Sequence, residues 1–132
     1  MAEYEWLIPD AFLPAPGESE PYGHEAICIL NTQTKDAHIT LDLYFETREP
    51  IHNVKVTVGA ERTKHLRMDR PRELNGVHIP REVPYAVRVR SDTFVAVQYS
   101  RLDVTQPNLS LMTTLVTPTP IVERSREHAR EN

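Results

Sequence analysis

The stretch Ala37-His38-Ile39-Thr40-Leu41-Asp42-Leu43-Tyr44-Phe45 decides the fold. Ala37, Ile39, Leu41, Leu43 and Phe45 alternate with His38, Thr40, Asp42 and Tyr44, and a period of two puts them on the buried face of a strand whose other face is wet. Val54, Val56 and Val58 repeat the pattern after a turn at Arg48-Glu49-Pro50, and Gly59 separates them from a strand over Arg62–Arg67. Further on, Tyr85, Val87 and Val89 alternate with Ala86, Arg88 and Arg90. The Ser91-Asp92 turn then leads to Phe94-Val95-Ala96-Val97-Gln98-Tyr99, which predicts a hairpin.

Two segments lack the alternation. Ala26-Ile27-Cys28-Ile29-Leu30 and the run from Leu109 to Val116 are apolar or small on both faces, which places them centrally in a sheet or against another subunit. Upstream, Pro9, Pro14, Pro16 and Pro21 restrict any strand before Gly23 to the piece around Trp6-Leu7-Ile8. The prolines between Asp69 and Pro84 mark a long crossing loop. The chain carries 11 prolines against 4 glycines and shows no amphipathic helix of useful length, so little helix is expected. The prediction is an all-β fold: an antiparallel β-sandwich of jelly-roll type with seven or eight short strands. It occupies residues 1–116, with 1–23 a proline-rich N-terminal segment and 117–132 a charged C-terminal tail.

At 132 residues the chain suits one domain, large enough to build a core without disulfide or metal support. A hydrophobic fraction of 39% with 26% charged residues argues against disorder, and no apolar run approaches the ~20 residues that span a bilayer. The start of the chain shows no secretory signal, and the single cysteine, Cys28, accords with a reducing cytoplasm. Within its apolar segment Cys28 is expected to be an inert core thiol. The net charge of −4 opposes a role in neutralising nucleic-acid phosphates.

No nucleophile elbow, phosphate loop, dinucleotide fingerprint or His-Glu-x-x-His occurs, so no enzyme activity and no cofactor are predicted. Six histidines invite a metal reading through His24, Glu25 and His65, but the spacing matches no closed zinc site, and a metal-assisted enzyme is only the lesser alternative. More informative is charge intruding on strands. Lys64, His65, Arg67, Gln98 and Arg101 supply donors, and Glu25 and Asp103 supply acceptors, a set suited to a sugar-like or anionic small molecule at the sandwich rim. The bland alternative is an ion-pair network, Arg101 with Asp103 or Arg67 with Glu25, that closes the sandwich end or a subunit interface.

These strings also carry a resemblance. His24-Glu25-Ala26-Ile27-Cys28-Ile29-Leu30-Asn31, Asp36-Ala37-His38, Glu49-Pro50, Arg62-Thr63-Lys64-His65-Leu66-Arg67, Ile79-Pro80 and Gln98-Tyr99-Ser100-Arg101-Leu102-Asp103 follow the order and spacing of the sensory rhodopsin transducer family. The chain resembles that family from roughly Trp6 to Val116. The resemblance implies a non-catalytic, cytoplasmic, bacterial signalling module that assembles into a homotetramer, with a microbial rhodopsin or another signalling protein as partner. The family's sandwich has been likened to carbohydrate-binding modules, which implies a small polar ligand. Carried over by position, the ligand-binding candidates are His24, Glu25, Lys64, His65, Arg67, Gln98, Arg101 and Asp103. Trp6 is either a stacking platform or a core residue.

Overall fold

The computed structural model describes residues 3–119. Eight strands form two antiparallel four-stranded sheets. In one sheet β1 (Tyr4–Phe12), β6 (Pro84–Ser91), β3 (Ala37–Phe45) and β4 (Ile51–Val58) lie side by side; in the other the order is β5 (Arg62–Arg67), β2 (His24–Asn31), β7 (Ala96–Asp103) and β8 (Ser110–Val116). The expected β-sandwich is therefore present. A single 3-10 turn, Pro71–Leu74, lies in the crossing loop between β5 and β6.

Periodicity and register agree. Leu41 lies opposite Val54 on one side and Val89 on the other, and Leu43 opposite Val87, so alternate residues of neighbouring strands stack on one inner face. Trp6 and Ile8 extend that face along β1, opposite Val89 and Val87. The second sheet answers with Ile27 and Ile29 of β2, Leu66 of β5 and Val97 and Tyr99 of β7, all buried. Burial of this apolar surface drives the two layers together.

Four expectations need correction. The residues from Tyr85 to Tyr99 do not form a hairpin, because β6 and β7 belong to different sheets. The Ser91 hydroxyl donates to the Thr93 carbonyl at 2.6 Å, and the Asp92 carboxylate accepts from the His38 amide at 2.8 Å. Buried Ser91 and Thr93 turn the chain inward between the layers, and Ser-Asp lacks the glycine or asparagine that a two-residue hairpin requires. β1 is also longer than expected. It runs through Pro9 with its register shifted between Ile8 and Ala11, and as an edge strand it tolerates a proline that a central strand would not.

Third, of the two placements expected for the doubly apolar run ending at Val116, the central one fails: among the described residues Ser110–Val116 is an edge strand, paired only with β7. Fourth, Cys28 is half-buried on the outer face of its sheet rather than in the core, because Ile27 and Ile29 take the inward positions of β2. Burial still pushes its thiol pKa up. Beyond β8, Pro118 bridges to Trp6 and the Thr119 amide donates to the Glu5 carbonyl at 2.7 Å, so the first tail residues lie on β1. Residues 120–132 of the expected tail lie outside the described residues.

Candidate functional site

The register sorts the candidate residues onto two faces. On the outer face of the second sheet His65 of β5 and Gln98 of β7 both lie opposite Cys28 of β2, and Arg67 lies one row along, opposite Ala26. With strands ~4.8 Å apart, His65 and Gln98 are about 10 Å from one another across Cys28. His24 ends the same face, its Nδ1 2.8 Å from the Tyr22 carbonyl oxygen. Glu25, Lys64, Arg101 and Asp103 point to the other side of that sheet, by the same alternation. The nine residues do not form one mouth: His24, His65, Arg67 and Gln98 share an outer surface, and Glu25 and Arg101 face inward. His24, Glu25 and His65 do not converge as metal ligands would, and no cluster of three potential ligands exists among the described residues.

Trp6, at 1% exposure, is a core residue, its ring 5.9 Å from that of Phe94. Glu25 is fully buried between the layers rather than at a solvent-facing rim. The expected partner of Arg67 changes accordingly. Arg67 forks onto Asp69, with Nε to Oδ1 at 2.8 Å and an Nη2 contact to Oδ2 at 2.9 Å. Arg101 reaches Asp10 at 3.7 Å, while Asp103 accepts from the Thr105 amide at 2.8 Å and its hydroxyl at 2.6 Å.

Around Glu25 the two sheets are tied together. The Tyr85 hydroxyl of β6 donates to one carboxylate oxygen and the Tyr99 hydroxyl of β7 to the other. The Phe12 amide of β1 adds a contact at 3.2 Å. Four strands from both layers thus meet on one carboxylate. Arg101 lies opposite Glu25 in the register, its guanidinium 5.9 Å from the Phe12 ring centroid and 5.7 Å from that of Tyr99. Burial pushes the Glu25 pKa up, against the hydrogen bonds of Tyr85 and Tyr99, which favour the carboxylate. Burial together with the neighbouring carboxylate drives both tyrosines upward as well, so they remain donors at any physiological pH. The sequence signal for this cluster was a glutamate in an apolar strand together with tyrosines at inward positions, since a buried tyrosine hydroxyl usually finds a partner.

A second cluster, invisible to the motif search, covers the outer face of the first sheet. Asp42 of β3 is buried beneath Arg88 and Arg90 of β6, with Arg90 Nη2 3.0 Å from its Oδ2. Its other oxygen accepts from the Asn53 amide at 3.0 Å and lies 3.2 Å from His52 Nδ1. Arg88 also pairs with buried Glu5 of β1. Burial raises the Asp42 pKa, but the Asn53 amide, His52 and Arg90 outweigh it and hold the carboxyl below its ordinary value of 3.8. A depressed native pKa contributes stability above the unfolded value, and that contribution is lost as pH falls through the native one. Asp42→Asn is expected to lower unfolding free energy by about 2 kcal/mol at pH 7. Below pH 3.8 the difference from wild type should narrow; urea titrations across pH 2–7 showing a constant gap would contradict this.

A groove of about 510 Å³ opens between the β1 and β8 edges, floored by Tyr99 and lined by Leu7, Pro9, Asp10, Met112 and Thr114. No helix among the described residues is long and apolar enough to cross a membrane.

Fold and clusters together define a β-sandwich module whose buried ionic groups bind one another across strands instead of presenting a nucleophile with its base. The profile of the Anabaena sensory rhodopsin transducer family matches residues 1–118, and the chain belongs to that family. It is a non-enzymatic signalling module. Among solved structures, one titled as the crystal structure of Thermotoga maritima 1070 is 32% identical, covering 86% of this chain and 92% of its own, with a TM-score of 0.77. The Anabaena sensory rhodopsin transducer is 33% identical over 77% of this chain and 97% of its own, with a TM-score of 0.66. No curated protein sequence matches.

Proposed function

We propose that this chain is a cytoplasmic bacterial transducer that works as a homo-oligomer, four-fold as the resemblance implies, and relays a signal by docking on a sensory rhodopsin or another signalling protein. The observation that carries this reading is the family match across residues 1–118 on a sandwich of the same fold. On the same reading a small polar ligand, sugar-like or anionic, binds the outer row of His24, His65, Arg67 and Gln98. There the exposed His65 and Gln98 side chains lie on either side of Cys28. Lys64, Arg101 and Asp103, on the opposite side of the sheet, and the buried Glu25 and Trp6 would not touch that ligand.

Two measurements test the two halves. Purified chain is expected to bind a sensory rhodopsin in nanodiscs, with an affinity that differs between dark and illuminated receptor; no binding in either state would remove the docking role. Calorimetric titration with neutral sugars and sugar acids is expected to show one saturable ligand, weakened roughly 10-fold or more in His65→Ala. A flat response across the panel would remove the ligand role and leave the docking role standing.

A further inference from the structure

The groove between β1 and β8, about 510 Å³, has the size of a small-molecule site. Its walls come from different sheets: Ile8, Pro9 and Asp10 from β1, and Met112, Thr114 and Val116 from β8, with buried Tyr99 as the floor. The walls meet at Trp6, where Pro118 bridges across. Beyond it β1 shifts its register between Ile8 and Ala11 and carries Pro9, which has no N–H to offer a neighbouring strand. Strand pairing across the slit fails at the point where the slit opens, and the lining there is mostly apolar.

Beside the groove lies Arg101, with Met112 its partner in the β7–β8 register and Asp10 its ion partner. Its situation differs from that of Arg67, Arg88 and Arg90. Each of those pairs with a carboxylate no more than 12% exposed, whereas Asp10 is 84% exposed and stands 3.7 Å away, beyond hydrogen-bond reach. An ion pair of that kind contributes little. The Arg101 side chain is itself only 18% exposed, and its buried Nε has no hydrogen-bond partner among the described residues. Glu25, opposite it in the register, has its oxygens taken by the Tyr85 and Tyr99 hydroxyls and the Phe12 amide. The Phe12 and Tyr99 rings hold the guanidinium in place. Burying N–H donors without an acceptor is costly, and an anion with two oxygens that forks onto the guanidinium recovers that cost.

From the unsatisfied guanidinium beside an apolar slit we infer that this groove binds a monocarboxylate with an apolar body, the carboxylate forking onto Arg101 and the body lying over Tyr99 between β1 and β8. A sugar does not suit walls with so few hydrogen-bonding groups. A phosphate dianion does not suit them either, because no lining residue carries a second cation. Asp10 competes for the same guanidinium and, being exposed, can swing aside. The groove lies across the second sheet from the outer row of His24, His65, Arg67 and Gln98, so it stands or falls separately from that row.

Methyl-resolved NMR on the full chain tests the assignment, with hexanoate, octanoate and 3-phenylpropanoate as probes. At least one acid is expected to shift the Met112 and Val116 methyl signals saturably, with a Kd of about 1 mM or below. The matching alcohols should bind roughly 10-fold more weakly, and Arg101→Lys should weaken the acid roughly 10-fold as well, since lysine keeps the charge but not the fork. Asp10→Asn should tighten binding by removing the competing carboxylate. Silence from all three acids overturns the site, as do shifts confined to signals near His65. Acids and alcohols that bind alike overturn the role of Arg101. Should Arg101→Lys misfold, the exposed Asp10→Asn variant decides, and binding that is unchanged or weaker in it would overturn the assignment.

Discussion

Glu25→Ala is expected to lower the unfolding free energy by about 3–5 kcal/mol, the range for breaking a buried ionic or hydrogen-bonded cluster from one side. The Tyr85 and Tyr99 hydroxyls and the Phe12 amide would all lose their acceptor in a site closed to water. Glu25→Gln keeps one accepting oxygen but turns an NH2 group toward a donor, and should cost about 1–3 kcal/mol. The pH dependence has a definite sign. A carboxyl whose native pKa lies above its ordinary 4.5 contributes most below that pH, and its contribution fades as pH rises through the native value. Wild type should therefore lose stability above pH 4.5 relative to Glu25→Gln, opposite to the acid loss governed by Asp42 below pH 3.8. Urea unfolding of both proteins between pH 4 and 8 reads this directly. A difference independent of pH would show that Glu25 does not titrate differently in the folded chain.

Trp6→Ala should be of comparable size, about 3–5 kcal/mol, since it empties a large side chain's volume from a closed core. Trp6 is 1% exposed and lies where β1, β6 and Pro118 meet, so the loss falls on the strand that the end of the described chain also bridges. It is the only tryptophan, and unfolding must be followed by circular dichroism. A stacking platform for a ligand would behave oppositely, losing binding with little change in stability. A Trp6→Ala protein that melts like wild type would return this residue to the binding surface.

Much of the fold is legible in the sequence because alternation is a local property. Ala37, Ile39, Leu41 and Leu43 reveal their face without any knowledge of neighbours, and so do Val54, Val56 and Val58. The face of His65 and Arg67 follows from the same period, as does the opposite orientation of Lys64. What alternation cannot supply is the neighbour. Glu25 and Arg67 are close in the register of β2 and β5, yet alternation sends Glu25 inward and Arg67 outward, so Arg67 takes Asp69 instead. The charged strings stand out as outliers from apolar patterning, but the pattern did not say that they divide between two sides of one sheet.

The sequence by itself determined that this chain is a β-sandwich, which residues of most strands are buried, and to which family it belongs, because each depends on the order and period of side chains along one strand at a time. Only the tertiary structure decided that β6 and β7 part into different sheets, that Glu25 is a buried tie between the layers, and that Ser110–Val116 is the outermost strand of its sheet among the described residues. Those outcomes depend on contacts between residues as far apart as Phe12 and Tyr99, and which distant pairs meet is settled by packing the whole set of strands at once.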